Sequence, residues 1–423
     1  MHSENGFLAI VVVGVLACGW VAAPVPALAA TIYDFTLIAT SNTGAIHNVG
    51  VPAINDSGAV AFQASLSAGG FAVFRGSGGA LTTIVNSNDG VFNTFSLGAQ
   101  PMINNSGTVA FFGQLNPGAP GNPSSTSATN GIFTGNGTTI TPIALADGST
   151  YSSISFVPSI NNNGVVAFQA GLAAGGQGIF TGDGTTTNTI VTTSTNVLGI
   201  PDINDAGTVA YWERMGTFPG PFTFGVFSSD GTTTTTIAQT GSGFFIFGSG
   251  TASPKINDNG TVGFTAVSLG LQGIYTGSGG ALTDVVDSSG PFNISFATSN
   301  FSLNDSGEVA FLSDLKAGGT GIFTGPDPVN DKVIETGDPL FGSTVANVAF
   351  HTNLNFSASN DGGLNDNGAL AFWASLTDGR QVVVVATPES AAVPEPSTFL
   401  LIGAGLAGLG VLKKKSRKYN TAD

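Results

Sequence analysis

Apolar residues return at every second position in short bursts along this chain. Val60, Phe62, Ala64 and Leu66 form one burst; Val109, Phe111, Gly113 and Leu115 form another, as do Val166, Phe168, Ala170 and Leu172, and Leu370, Phe372, Ala374 and Leu376. A period of two with one apolar face predicts β-strands. Ahead of each burst stands an apolar stub, such as Val51-Pro52-Ala53-Ile54, followed by Asn-(Asp/Asn)-x-Gly. Asn can bond its own backbone two residues on and Gly tolerates positive φ, so the tetrapeptide predicts a hairpin turn. Asn55 and Gly58, Asn104 and Gly107, Asn161 and Gly164, Asn204 and Gly207, Asn257 and Gly260, Asn304 and Gly307, and Asn365 and Gly368 mark seven copies, spaced 49, 57, 43, 53, 47 and 61 residues apart. Their expected role is structural.

A third strand follows a Gly-rich loop, as in Gly131 to Gly135, Gly178 to Gly182 and Gly321 to Gly325. A fourth is Thr-rich, as in Leu81 to Val85 and Thr234 to Ala238. Four strands in each of seven units of about fifty residues predict an all-β, seven-bladed β-propeller over residues 31–387. The ends bear on closure. The seventh unit stops after its third strand, Gln381 to Val385, while Asp34 to Ala39 precedes the first unit as a spare fourth strand. Pairing the two closes the ring and hides the last edge. An open solenoid gives no reason for such complementary ends.

Composition narrows the rest. Only 9% of residues are charged and Gly numbers 61, which suits short strands and tight turns and disfavours helices. Residues 31–392 carry 6 basic against 23 acidic side chains, a net of −17. That surface repels phosphate backbones and excludes nucleic acid as the expected partner. The single cysteine, Cys18, lies in the N-terminal apolar run, so the body has neither disulfides nor Cys-based metal sites.

Both ends read as addresses. Phe7 to Ala30 is apolar and ends in Ala27-Leu28-Ala29, a small-x-small pattern for signal peptidase, so residues 1–30 are expected to be a signal peptide; the n-region has no Lys or Arg. Val15-Leu16-Ala17-Cys18 loosely resembles a lipoprotein box, but the apolar run continues beyond it to the better cleavage site. At the other end, Val393-Pro394-Glu395-Pro396-Ser397 closes a linker (388–397) and precedes an apolar run, Thr398 to Leu412, and a basic tail (413–423) with Lys413, Lys414, Lys415, Arg417 and Lys418. The basic cluster orients the run with its tail in the cytoplasm. Gly403, Gly405 and Gly408 spell G-x-G-x-x-G there, but no globular helix with an acidic partner follows, so small residues in a membrane helix are the reading.

These last residues closely resemble the PEP-CTERM sorting signal of Gram-negative bacteria. The resemblance implies export through the inner membrane, a transient membrane anchor, processing by an exosortase-like enzyme and release to the envelope or extracellular matrix. The repeat, in turn, resembles exported bacterial families of Asn-x-x-Gly-x-x-x-Phe tandem repeats with interchangeable C-terminal anchors. That likeness implies export and repetition and no particular reaction.

Residues for chemistry are sparse. His47 and His351 stand alone, and no nucleophile elbow occurs. Asp56, Asp205, Asp258, Asp305 and Asp366 invite calcium, yet each turn holds one carboxylate and two turns hold Asn105 and Asn162 instead. No catalytic residue, cofactor or metal ligand is therefore expected. Loops that break the repeat, Asn116 to Asn130, Gly216 to Gly225 and Pro326 to Ser343, are expected to open on one face, where they could shape a recognition surface, although decoration without function is the favoured reading. The expected function is non-catalytic binding of glycan or protein in the envelope or matrix. The alternatives are a propeller hydrolase or lyase acting on polysaccharide, and a calcium-dependent adhesin.

Overall fold

The computed structural model describes residues 30–94, 100–216, 220–241, 244–247, 253–294, 300–350 and 362–389. Residues 1–29 of the expected signal segment, His351, and the sorting motif with its apolar run and tail lie outside the described residues. Among the described residues, no helix is long and apolar enough to cross a membrane.

The described chain is a seven-bladed propeller of antiparallel sheets, with one 3-10 turn at Ser87–Asp89. Blade one shows the unit: Ile46–Ile54, Val60–Leu66, Phe71–Gly76 and Thr82–Asn86, running from axis to rim. Blade seven is built from both parts of the chain. Ser343–Ala349, Leu370–Leu376 and Gln381–Pro388 supply three strands, and Tyr33–Thr40 pairs with Gln381–Pro388 as the outer fourth. The N-terminal strand even carries a fourth-strand irregularity. Its register shifts between Leu37 and Ala39, as the blade-one fourth strand shifts beside Val73 and Phe74.

The expected half-buried second strand is buried on both faces. Val60, Ala61, Phe62, Gln63 and Ala64 are all inaccessible to solvent or nearly so. The reason is stacking: each sheet is sandwiched between two others. Phe62, Ala64 and Phe74 pack with Trp373, Val383 and Val385 of blade seven, while Ala61 and Val73 pack with Phe111 and Ile132 of blade two. Blade one thus turns Phe62 and Phe74 toward blade seven and the smaller Ala61 and Val73 toward blade two, so adjacent blades interlock.

Aromatic residues pair across the second and third strands. Phe62 opposes Phe74 at 5.8 Å between centroids, and Phe111–Phe133, Phe168–Phe180, Tyr211–Phe227, Phe264–Tyr275 and Phe311–Phe323 repeat the pairing in blades two to six. Each such ring, fully buried, adds about 1.5–3 kcal/mol. In blade seven Phe372 opposes Val384, and the N-terminal Phe35 meets Phe372 edge-on at 6.2 Å.

Candidate functional site

The turns between first and second strands converge on the axis and close it by hydrogen bonds. The seven turn glycines take φ between 75° and 83°, the left-handed region that favours glycine. The turn Asn does more than the sequence reading allowed. Its Oδ1 accepts from the backbone amide four residues on, as Asn55 does from Ala59 at 2.9 Å and Asn365 from Ala369 at 2.8 Å. Its Nδ2 donates to the next blade. Asn55 donates to the Asn104 carbonyl, Asn104 to Asn161, Asn161 to Asn204, Asn204 to Asn257, Asn257 to Asn304, Asn304 to Asn365, and Asn365 back to Asn55, at 2.9 to 3.2 Å. All seven of these asparagines are buried.

The following residue builds a second ring. The Asp56 amide donates to Asn105 Oδ1, Asn105 to Asn162, Asn162 to Asp205, Asp205 to Asp258, Asp258 to Asp305, Asp305 to Asp366, and Asp366 to Asp56 Oδ1, at 2.7 to 2.9 Å. Read around the ring, five carboxylates stand consecutively from Asp205 to Asp56, and the two asparagines fill the gap. Asn105 Nδ2 donates to Asp56 and Asn162 Nδ2 to Asp205, so an amide caps each end of the acidic arc. Together the rings frame a cavity of about 150 Å³ at the channel mouth.

Crowding changes the acids. Partial burial, reinforced by the neighbouring carboxylates of Asp205 and Asp305, pushes the Asp258 carboxyl up to about 6. Partial burial with Asp56 and Asp305 beside it does the same to Asp366. Among the described residues, no three His, Cys, Asp or Glu side chains are placed to hold one metal ion. Each Asp of the ring instead accepts a backbone amide from the adjacent blade.

Below the rings lies a buried ionic contact. Asp202 accepts Ser159 Oγ at 2.6 Å and the Ile256 amide at 2.9 Å, and the buried Lys255 stands beside it. Burial pushes the Asp202 carboxyl up, against the opposing pull of Lys255. Three hydrogen-bonded or charged partners from blades three and five converge on this one side chain, which pins three blades together.

The interruption loops divide between the two faces. Asn116 to Asn130 connects the second strand Val109–Leu115 to the third strand Thr129–Gly135, at the end opposite the Asn turns. Gly216 and Gly225 likewise bracket a connection between second and third strands, Val209–Met215 and Thr223–Ser229. Pro326 to Ser343 departs from the expectation, because it contains the fourth strand of blade six, Lys332–Glu335. Asp327 and Asp331 precede that strand and lie at the Asn-turn end, where the Asp327 amide donates to Asp331 Oδ2. His47 is exposed on a first strand and takes no part in either ring.

Comparison with known proteins bears on both ends of this description. The profile of a "Family of unknown function (DUF7453)" matches residues 36–400. The PEP-CTERM protein-sorting motif matches residues 392–415, which marks an exported protein that passes the membrane and is processed by an exosortase-type system. A search of curated protein sequences finds no match. Among solved structures, the acylaminoacyl peptidase of Pyrococcus horikoshii is 11% identical, with 69% of this chain and 48% of that one covered and a TM-score of 0.42. Prolyl oligopeptidase B from Galerina marginata is 9% identical, covering 80% and 47%, with a TM-score of 0.45. The β-propeller domain of the Trilobed protease from Pyrococcus furiosus is 12% identical, covering 69% and 99%, with a TM-score of 0.35. The chain spans about half the length of the two peptidases.

Proposed function

The chain belongs to that family of unknown function, and from this premise we propose that it is a non-catalytic repeat protein of the cell envelope or extracellular matrix that presents its propeller surface to glycan or protein. One observation carries the reading: the acidic residues gathered at the channel mouth are engaged in holding blades together. Every Asp of the ring accepts an adjacent blade's amide, and the buried Asp202 is held by Ser159, Ile256 and Lys255. A group committed to closing the ring is a poor acid or base for a passing substrate. The boundaries proposed are a signal peptide (1–30), the propeller (31–387), a linker with Pro394-Glu395-Pro396, a membrane run and a basic tail.

A second reading has its own support. Asp258 and Asp366, raised to about 6 beside neighbouring carboxylates, resemble the paired carboxyl groups that do acid–base work on glycosidic bonds. The test is an assay of the full-length protein on extracellular polysaccharides for new reducing ends between pH 5 and 8, with Asp258→Asn and Asp366→Asn beside it. Binding without cleavage supports the non-catalytic reading. Cleavage that either variant abolishes transfers the assignment to an enzyme.

A further inference from the structure

A cleft on the rim between blades four and five differs from its counterpart elsewhere in the ring. It holds about 530 Å³, within the range of about 300–1,000 Å³ found for small-molecule sites, and is bounded by Thr236, Gln239, Phe244, Tyr275, Gly280 and Asp284. The cleft between blades seven and one holds about 390 Å³ and is bounded at the same strand positions by Leu37, Thr40, Ile46, Phe74 and Gly79. Strand register fixes the correspondence. Thr236 opposes Phe227 as Leu37 opposes Val384, and Asp284 opposes Tyr275 as Thr83 opposes Phe74.

Both clefts trace to one sequence signature. Gly76-Ser77-Gly78-Gly79-Ala80-Leu81-Thr82 recurs as Gly277-Ser278-Gly279-Gly280-Ala281-Leu282-Thr283, whereas blades two to four place Thr138, Thr185 and Thr232 where Gly79 and Gly280 stand. A Cβ added at Gly79 or Gly280 meets nothing within 4 Å. The glycine therefore leaves open the space that threonine occupies in the neighbouring blades.

Within this shared frame the side chains diverge. The cleft between blades seven and one is mostly apolar, with Leu37, Ile46 and Phe74 and neither a carboxylate nor a side-chain amide in its lining. In its counterpart Leu37 gives way to Thr236, Thr40 to Gln239, Ile46 to Phe244, Phe74 to Tyr275 and Thr83 to Asp284. Phe244 and Tyr275, both buried, pack edge to face beneath the cleft, with ring centroids 5.2 Å apart at 81°. Ser268 satisfies the Tyr275 hydroxyl. The Asp284 carboxylate and the Gln239 amide make no hydrogen bond among the described residues, and both border the cavity. A free carboxylate and a free amide above a floor of buried rings match the hydroxyl groups of a sugar. The carboxylate and amide take hydroxyl hydrogens and the amide also donates, while the few ring atoms that border the cavity give the C–H face an apolar floor. Asp284, with Asp287 on the same strand, repels a uronate or sulfated unit.

We propose that the cleft between blades four and five binds a neutral sugar unit of an extracellular glycan. The assignment rests on the surface-binding reading above and gives it a location and a ligand class.

The test is calorimetry on the full-length protein in a non-glycosidic detergent, titrated with dextran, galactomannan and, as an anionic comparator, polygalacturonate. A neutral polymer is expected to bind and polygalacturonate not to. Asp284→Thr with Gln239→Thr, both residues that equivalent positions already hold, should weaken binding by about tenfold or more. Gly280→Thr, which fills the cleft as blades two to four do, should do the same, and Thr83→Asp should change nothing. Circular dichroism melts of the variants matching wild type keep the comparison clean. Binding that both cleft variants leave intact overturns this site and spares the surface-binding reading. No neutral binding, or tighter binding of polygalacturonate, also overturns the site. New reducing ends in the titration overturn the non-catalytic reading itself.

Discussion

Asn365 donates its side-chain amide to the backbone carbonyl of Asn55 at 3.0 Å, joining positions 310 residues apart. The bond is the same one that links every other adjacent pair of blades. The seam of the ring is therefore closed twice, by this amide at the axis and by Tyr33–Thr40 at the rim.

Replacing Asn365 with alanine leaves the buried Ala369 amide without its acceptor and takes the inter-blade donor from the Asn55 carbonyl, which keeps the Gly58 amide. A loss of about 1–3 kcal/mol is expected for the orphaned amide. Urea unfolding measures it, and Asn161→Ala, within an uninterrupted part of the ring, should lose a similar amount. An unchanged midpoint for both would remove the amide ring from the account of stability.

Deleting residues 31–40 strips the outer strand from blade seven and the Phe35 contact from Phe372. The whole body should melt earlier and still in one transition, because blades seven and one share a core. Differential scanning calorimetry decides the matter: a melt identical to wild type shows that the strand does not hold the ring.

The carboxyl ring makes stability depend on pH. Asp258 and Asp366 sit at about 6 in the folded state against the usual 3.8, so the folded chain holds their protons more tightly than the unfolded one. Their contribution is present in full below 3.8 and is lost as pH rises through about 6. The body should melt a few degrees higher at pH 5 than at pH 7.5. Asp258→Asn with Asp366→Asn keeps the Oδ1 acceptors, so it should raise the pH 7.5 melting temperature and flatten the profile. A variant that melts lower at pH 7.5 contradicts the assignment. Below pH 4 the trend reverses, since Asp183, Asp230 and Asp327 are held low by backbone amides at their own turns.

Replacing Pro394, Glu395 and Pro396 with alanines should leave the protein uncut and retained at the inner membrane, larger than the mature product by the mass of the tail. Fractionation and intact-mass measurement read this directly. Wild type that also stays full-length in the inner membrane makes the segment an ordinary anchor.

The parts of the fold legible in sequence were those set by local chemistry. Gly58 and its six equivalents announce positive φ, Phe62 and its equivalents announce a strand, and the spare strand near Phe35 answers the missing one after Val385. What escaped were properties of the closed ring. Period-two alternation described one buried face, because only size distinguishes Phe62 from Ala61, and both faces are covered. Five of the seven turns offered one carboxylate each, and nothing local says that Asp205, Asp258, Asp305, Asp366 and Asp56 meet on one circle. Seven-fold repetition was the available signal, since equivalent positions in a propeller must share a radius. Lys332–Glu335 was missed as a fourth strand because it has none of the threonines that mark the others.

The pairing of Tyr33 with Pro388 sets an order of events for an exported chain. The first strand to emerge must wait, unpaired, until nearly the last residue of the body has crossed. Until then blade seven has an open rim and blade one has no neighbour on one side, so neither can settle alone. Such long-range closure is slow, because the intervening chain must be brought into place first. The sorting motif begins four residues beyond Pro388. A tether at that point would keep the final strand close to its waiting partner during the search, so completing the fold and being ready for release become nearly the same moment.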